Sequence, residues 1–193
     1  MTVVVSLTAL ACSPSPDGAT HPARSEASQA APLKALPKIN MAGQIANIAT
    51  PVLSQVSGRL IAQVRSGPDY LLAYTTGKKC GLLALRPGSP NPVQINITEN
   101  WPAAKETGHG NLPGGPYLIA TAPSATTGGY VKLHCGAHSE VVEYSVRSDE
   151  THTAKPSTVG SISVVSSTGQ EPLVVAIGSS GSRDALARHF GMK

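Results

Sequence analysis

The chain has 193 residues, 40% of them hydrophobic and 13% charged, with a mean hydropathy of −0.01. A disordered polymer would carry fewer apolar and more charged residues, so a folded core is required, and the length suits one domain with a tail rather than two domains. The net charge of +4 comes from singly scattered Lys and Arg, with Lys78-Lys79 the only adjacent pair. A nucleic-acid surface would cluster its cations and interleave aromatics, and aromatics are only 4% of the chain, so no nucleic-acid partner is expected.

The first eleven residues, "MTVVVSLTALA", are apolar or hydroxylic and carry no charged side chain. That run is too short for a bilayer, which takes ~20 apolar residues, but it has the length of the apolar region of an export signal. Residues 13–38 follow with Pro at 14, 16, 22, 32 and 37, many Ser and Ala, and no hydrophobic period. This reads as a disordered tether. A β-branched first strand is the other reading of "TVVVSLTAL", but a strand cut off from its sheet by such a linker would gain little. The expected organisation is a signal segment at 1–11, Cys12 and a tether at 12–38, and a single domain at 39–193.

Ala9-Leu10-Ala11-Cys12 resembles the lipobox of bacterial lipoproteins, and the Ala/Gly/Pro/Arg-rich composition resembles that of high-GC bacteria such as actinomycetes. The lipoprotein resemblance covers only the first forty or so residues. It implies a diacylglycerol thioether on Cys12, with acyl chains such as palmitate in membrane lipid, and a location on the extracytoplasmic face of the cell membrane. Ala9-Leu10-Ala11 also has the small-x-small form of ordinary signal cleavage, which would make the protein secreted. Of the three cysteines, lipidation of Cys12 would leave Cys80 and Cys135 as a pair, expected to form a disulfide in an oxidising compartment.

From Ile39 onward, nine runs of six or seven residues are separated by turn residues: "RLIAQV", "YLLAYTT", "CGLLAL", "VQINIT", "YLIATA", "YVKLHC", "EVVEYSV", "SISVVSS" and "PLVVAIG". Alternation is clear in Val93–Thr98 and Val131–Cys135 and blurred in "EVVEYSV" and "SISVV". Short strands with hairpin spacing predict an all-β fold, an antiparallel sandwich or barrel of eight or nine strands. Met41, Ile45, Ile48 and Val52 have helical spacing that Pro51 should end. A short C-terminal helix is expected with Ser182 as N-cap, Asp184 in its first turn and Leu186 and Phe190 one turn apart.

Chemistry-bearing motifs are sparse. "LHCGAH" sets His134 and His138 four apart, but on a strand leading into a Gly turn, where His134 and Cys135 face opposite ways and both histidines are expected to be partly exposed. No metal or cofactor is implied. Glu140 and Glu143 should also face apart, and "GSSGS" lacks both the Lys of a phosphate loop and the spacing of a nucleophile elbow. Asn96 opens an "NIT" sequon inside a strand. The remaining candidate is the stretch 99–116, with three Pro, four Gly and the chain's single Trp. Its Trp101, Lys105, Glu106 and His109 are candidate ligand-binding residues, since long loops in compact domains are often functional. The expected function is a non-catalytic binding module for an envelope protein, peptide or glycan. The alternative is an envelope hydrolase using His109 or His134.

Overall fold

A computed structural model describes residues 31–103, 112–123, 129–145, 156–166 and 172–191. Among them are ten strands: β1 (Arg59–Ser66), β2 (Asp69–Thr76), β3 (Lys79–Leu85), β4 (Val93–Asn100), β5 (Leu118–Pro123), β6 (Tyr130–Cys135), β7 (Ser139–Ser145), β8 (Ser157–Gly160), β9 (Ile162–Ser166) and β10 (Leu173–Gly178). They form two five-stranded sheets in the orders β4-β3-β2-β1-β8 and β5-β6-β7-β10-β9. Every pairing is antiparallel. Each of the nine expected runs is a strand. Edge strands β4 and β5 are not joined by a ladder, so the architecture is a sandwich and not a closed barrel.

The tenth strand, β8, escaped the sequence reading because all four of its residues are exposed, so it carries no apolar pattern. It pairs with β1 and continues through Ser161 into β9 of the other sheet. The chain changes sheets at Gly160, where φ is +96° and a Cβ would meet the Ile61 carbonyl oxygen at 2.5 Å. Only glycine satisfies both conditions.

Between the sheets lie Ile61, Val64, Leu71, Leu82, Val131, Leu133, Val142, Leu173, Val175 and Ile177, among others. Two helices cover the outer faces. Helix α1 (Gly43–Gln55) sets Ala49 and Leu53 against Leu60, Leu72, Tyr74, Leu83 and Leu85 of the first sheet. Helix α2 (Ser180–His189) sets Leu186 against Val141, Val165, Val174 and Ala176 of the second. Strands lying under a helix are buried on both faces, as β10 is at every residue. This is why "EVVEYSV" and "SISVV" do not alternate cleanly. Edge strand β5 alternates intermediate and exposed residues throughout. Among the described residues, no helix is long and apolar enough to cross a membrane.

Three expectations are corrected. Helix α1 does not stop at Pro51 but continues to Gln55. Proline removes the hydrogen bond to the carbonyl of Asn47, an exposed residue that water can reach, while Ala49 and Leu53 hold the helix down on either side. Helix α2 begins earlier than expected, with Ser179 as N-cap accepting from the Ser182 N–H at 3.4 Å. Ser182 is therefore a buried residue inside the helix, and Asp184 falls outside the first turn. Finally, the end of the supposed tether is folded. Leu33 (fully buried) and Leu36 join the interior cluster, and the Leu33 N–H donates to the Ala137 carbonyl at 2.9 Å. The Arg59 guanidinium donates to the carbonyls of Leu33, Lys34 and Leu36, fastening this segment to the start of β1. Cys12 and residues 13–30 lie outside the described residues.

Candidate functional site

Segment 38–41 runs beside the start of β1, tied to it by the Ile39 N–H to Leu60 carbonyl bond of 3.1 Å. Helix α1 covers the same face of the sheet, and its C-terminal Leu53 lies beside Leu60. Between them is a groove of about 380 Å³ lined by Lys38, Ile39, Asn40, Met41, Thr50, Leu53, Ser54, Ser57, Gly58 and Leu60. That volume lies within the usual range of small-molecule sites. The lining mixes aliphatic residues, of which Leu53 and Leu60 are themselves buried, with hydroxyl and amide groups and one cation, Lys38.

The C-terminus of α1 forms part of the groove wall. There the Ser57 N–H donates to the Ser54 carbonyl (3.2 Å) and the Gly58 N–H to the Leu53 carbonyl (2.7 Å), so these two helix-end carbonyls are already occupied. Ser57 has φ +51° and is the one described non-glycine residue with positive φ. That conformation costs a serine about 1–2 kcal/mol, at a helix-end position that glycine ordinarily fills. A strained serine on the wall of a groove marks it as a candidate site.

The residues singled out by sequence are dispersed. Glu140, fully buried, points between the sheets, in register with Cys135 of β6 and Ile177 of β10. Neither of its carboxylate oxygens has a hydrogen-bond partner, and burial pushes its pKa well above the ordinary 4.5. Tyr74 is pushed up to about 12, by burial first and by the charge of Glu140 second.

Glu143 lies on the opposite face of β7, its carboxylate oxygens 2.6 Å from His134 Nε2 and 3.3 Å from Lys132 Nζ. The hydrogen bond from His134 and the nearby Lys132 charge hold Glu143 below the ordinary range against the opposing effect of burial. His134 is thus buried (7% exposed) rather than partly exposed as expected, while His138 on the β6–β7 turn is partly exposed. Asp69, 2% exposed, accepts from Arg86 Nε at 2.7 Å, Arg86 Nη2 at 2.9 Å and the Tyr144 hydroxyl at 2.6 Å. This ties the start of β2 to β7 across the sandwich. His134, Asp69 and Glu140 therefore do not converge, and among the described residues no group of three or more His, Cys, Asp or Glu could hold a metal ion.

Cys80 and Cys135 form the expected disulfide, with a Cα–Cα distance of 5.5 Å. Lys105, Glu106 and His109 lie outside the described residues. Trp101 is half-buried, with its indole against the interior cluster and its Nε1 buried without a partner. We therefore expect blue-shifted emission that resists aqueous quenchers, and a loss of about 2 kcal/mol in Trp101→Ala, below the range for a fully buried Trp. Red-shifted, readily quenched emission would instead make this indole an exposed anchor.

None of the groove residues was a candidate site residue from sequence; Met41 was noted only for its helical spacing, and it lies ahead of α1. The available signal was weak: no charged residue occurs between Lys38 and Arg59. Comparison with protein-family models, with curated proteins and with solved structures finds no match to the chain.

Proposed function

We propose that the protein is a non-catalytic binding module held at the extracytoplasmic face of the cell membrane by lipid on Cys12, with the groove beside α1 as its ligand site. The observation that carries the binding role is that groove: a lining of hydroxyl, amide and aliphatic groups with one cation and a strained serine, and no His, Asp, Glu or Cys among the described residues that line it. The anchor rests on the sequence around Cys12. The alternative, an envelope hydrolase using His109 or His134, needs a nucleophile beside an accessible imidazole. His134 is instead buried and held 2.6 Å from Glu143, an arrangement that fixes a ring in place.

One acyl chain anchors a protein only marginally, whereas a diacyl group makes attachment durable. Cys12→Ala is expected to move the protein from the detergent-extracted membrane fraction to the medium, or to leave it unprocessed. Unchanged partitioning of that variant would overturn the anchored reading.

A further inference from the structure

A strap of residues 33–38 runs across one end of the sandwich. Its Leu33 N–H donates to the carbonyl of Ala137 on the β6–β7 turn, and Arg59 at the start of β1 holds three of its carbonyls. Arg59 is in register with Thr75, Thr75 with Cys80, and Cys80 is bonded to Cys135. The start of β1, the β2–β3 turn, the disulfide and the strap therefore share this end. Lysines scattered in sequence gather here: Lys34 and Lys38 on the strap, Lys78 and Lys79 where β2 turns into β3. All four are exposed, and none has an ion-pair partner among the described residues. The fifth described lysine, Lys132, lies on β6 and pairs with Glu143. Few acids oppose the four. Glu140 is fully buried. Glu99, opposite Cys80, is half-buried and accepts from the Asn100 N–H at 2.7 Å. Asp184 lies on α2, in sequence between Arg183 and Arg188. From residue 27 to residue 68 the chain has four cations and no acid, and α1 within that stretch has no charged residue.

We infer that this end of the sandwich docks on an anionic phospholipid bilayer, with Lys34, Lys38, Lys78 and Lys79 against the headgroup phosphates. The chain before Pro32 leaves the described domain at this same end. Pro32 comes 20 positions after Cys12, a length that spans at most about 70 Å, so a lipidated Cys12 keeps this end near the membrane. Each lysine close to an anionic surface raises partitioning by about fivefold, an effect that fades over a Debye length of ~10 Å. Four on one end orient the domain as well as attract it. The disulfide end faces the bilayer, and the end that holds the Asp69–Arg86 pair faces solvent. The choice of a bilayer over a soluble polyanion rests on the anchored reading, whereas the charge asymmetry does not.

The test uses the full chain carrying Cys12→Ser, purified without detergent, and co-sedimentation with vesicles. Partitioning onto phosphatidylcholine containing about one-third phosphatidylglycerol should exceed that onto phosphatidylcholine alone by at least about tenfold at ~0.1 M salt. The difference should vanish at about 0.5 M salt. Residues 1–11 carry no charged side chain and contribute equally to both vesicles. The pairs Lys34→Gln/Lys38→Gln and Lys78→Gln/Lys79→Gln should each reduce the anionic preference by about tenfold or more, with an unchanged melting temperature. Arg65→Gln/Arg188→Gln removes the same charge away from this end and should change the preference by less than about threefold. Equal partitioning onto the two vesicles, or equal losses in the lysine and arginine pairs, would overturn the inference. Tighter binding to soluble polyphosphate than to the anionic vesicles, at matched phosphate, would overturn it in favour of a soluble polyanion. No lipid is attached to the protein in these assays, so their failure leaves the anchor to the fractionation of Cys12→Ala. A wash at about 0.5 M salt removes the contribution of the lysines from that fractionation.

Discussion

Replacing Glu140 by Gln is expected to abolish a fall in stability that the parent protein shows as pH rises above about 5. In the unfolded chain this carboxyl ionises near 4.5, whereas in the folded domain it stays protonated well above that value because it is fully buried with both oxygens unpartnered. Above the unfolded pKa the folded state therefore holds one more proton than the unfolded state. Stability then falls with pH by about 1.4 kcal/mol per unit until the folded carboxyl itself ionises. The contribution is fully present only below the unfolded pKa. Glu143 acts in the other direction, since its pKa is lowered by His134 and Lys132. Its contribution is present above 4.5 and is lost as pH falls through the lowered value. On these two groups alone the parent should thus be most stable near pH 4–5, around the unfolded pKa, where folded Glu143 holds its charge and folded Glu140 its proton.

Urea denaturation at pH 5, 6 and 7 separates these effects, because every other titrating group is common to parent and Glu140→Gln and cancels in the difference. The two curves should diverge steadily, with Gln the more stable at pH 7. Parallel curves would mean that Glu140 is solvated or partnered in solution. Glu140→Met should go further, by about 1–3 kcal/mol at pH 7, because it also removes an unsatisfied buried polar group. A domain that retains so costly a residue in its core has a stability gradient across the neutral range that a leucine or methionine would remove.

Breaking the disulfide should have the second large effect. Cys80 opens β3 of one sheet and Cys135 closes β6 of the other, so the bond ties the two layers together. The separation is 55 residues, and restricting a loop of that length in the unfolded chain stabilises the fold by roughly 4 kcal/mol on the chain-entropy model. For a domain of this size that corresponds to a drop in melting temperature of roughly 8–16 °C. Both sulfur-bearing residues are fully buried, so mild reductant should leave the folded protein unchanged and act only after denaturation. Thiol titration of the unfolded, unreduced Cys12→Ser chain should find no free thiol, and two would show that the bond is absent. Cys135 and Glu140 are cross-strand partners on the interior face, so the disulfide and Glu140 substitutions should not be additive. Loosening the layers admits water to the carboxyl and lessens its cost.

The strands could be read from sequence because each is a short apolar run closed by Gly, Pro, Asp or Asn, and turn chemistry is local. The disulfide could be read from cysteine number once Cys12 was assigned to lipid. The opposite orientations of Glu140 and Glu143, and of His134 and Cys135, follow from the two-residue period of a strand. These conclusions need only neighbouring residues.

Other features depend on parts of the chain that are far apart. The continuation of α1 through Pro51 depends on the sheet beneath Ala49 and Leu53. The folding of Leu33 and Leu36 depends on Arg59, more than twenty residues away, whose guanidinium donates to their carbonyls. The full burial of Glu140 depends on a second sheet and on Ile177, 37 residues along. The groove exists only because Lys38–Met41 and the C-terminal end of α1 meet beside Leu60 of β1. Sequence alone determined that this chain makes two-residue-period strands joined by turns, because backbone preference and side-chain alternation are properties of adjacent residues. Which apolar positions are covered, which carboxyl loses its water and where a cavity remains were decided by tertiary packing, because desolvation depends on what comes to lie on top.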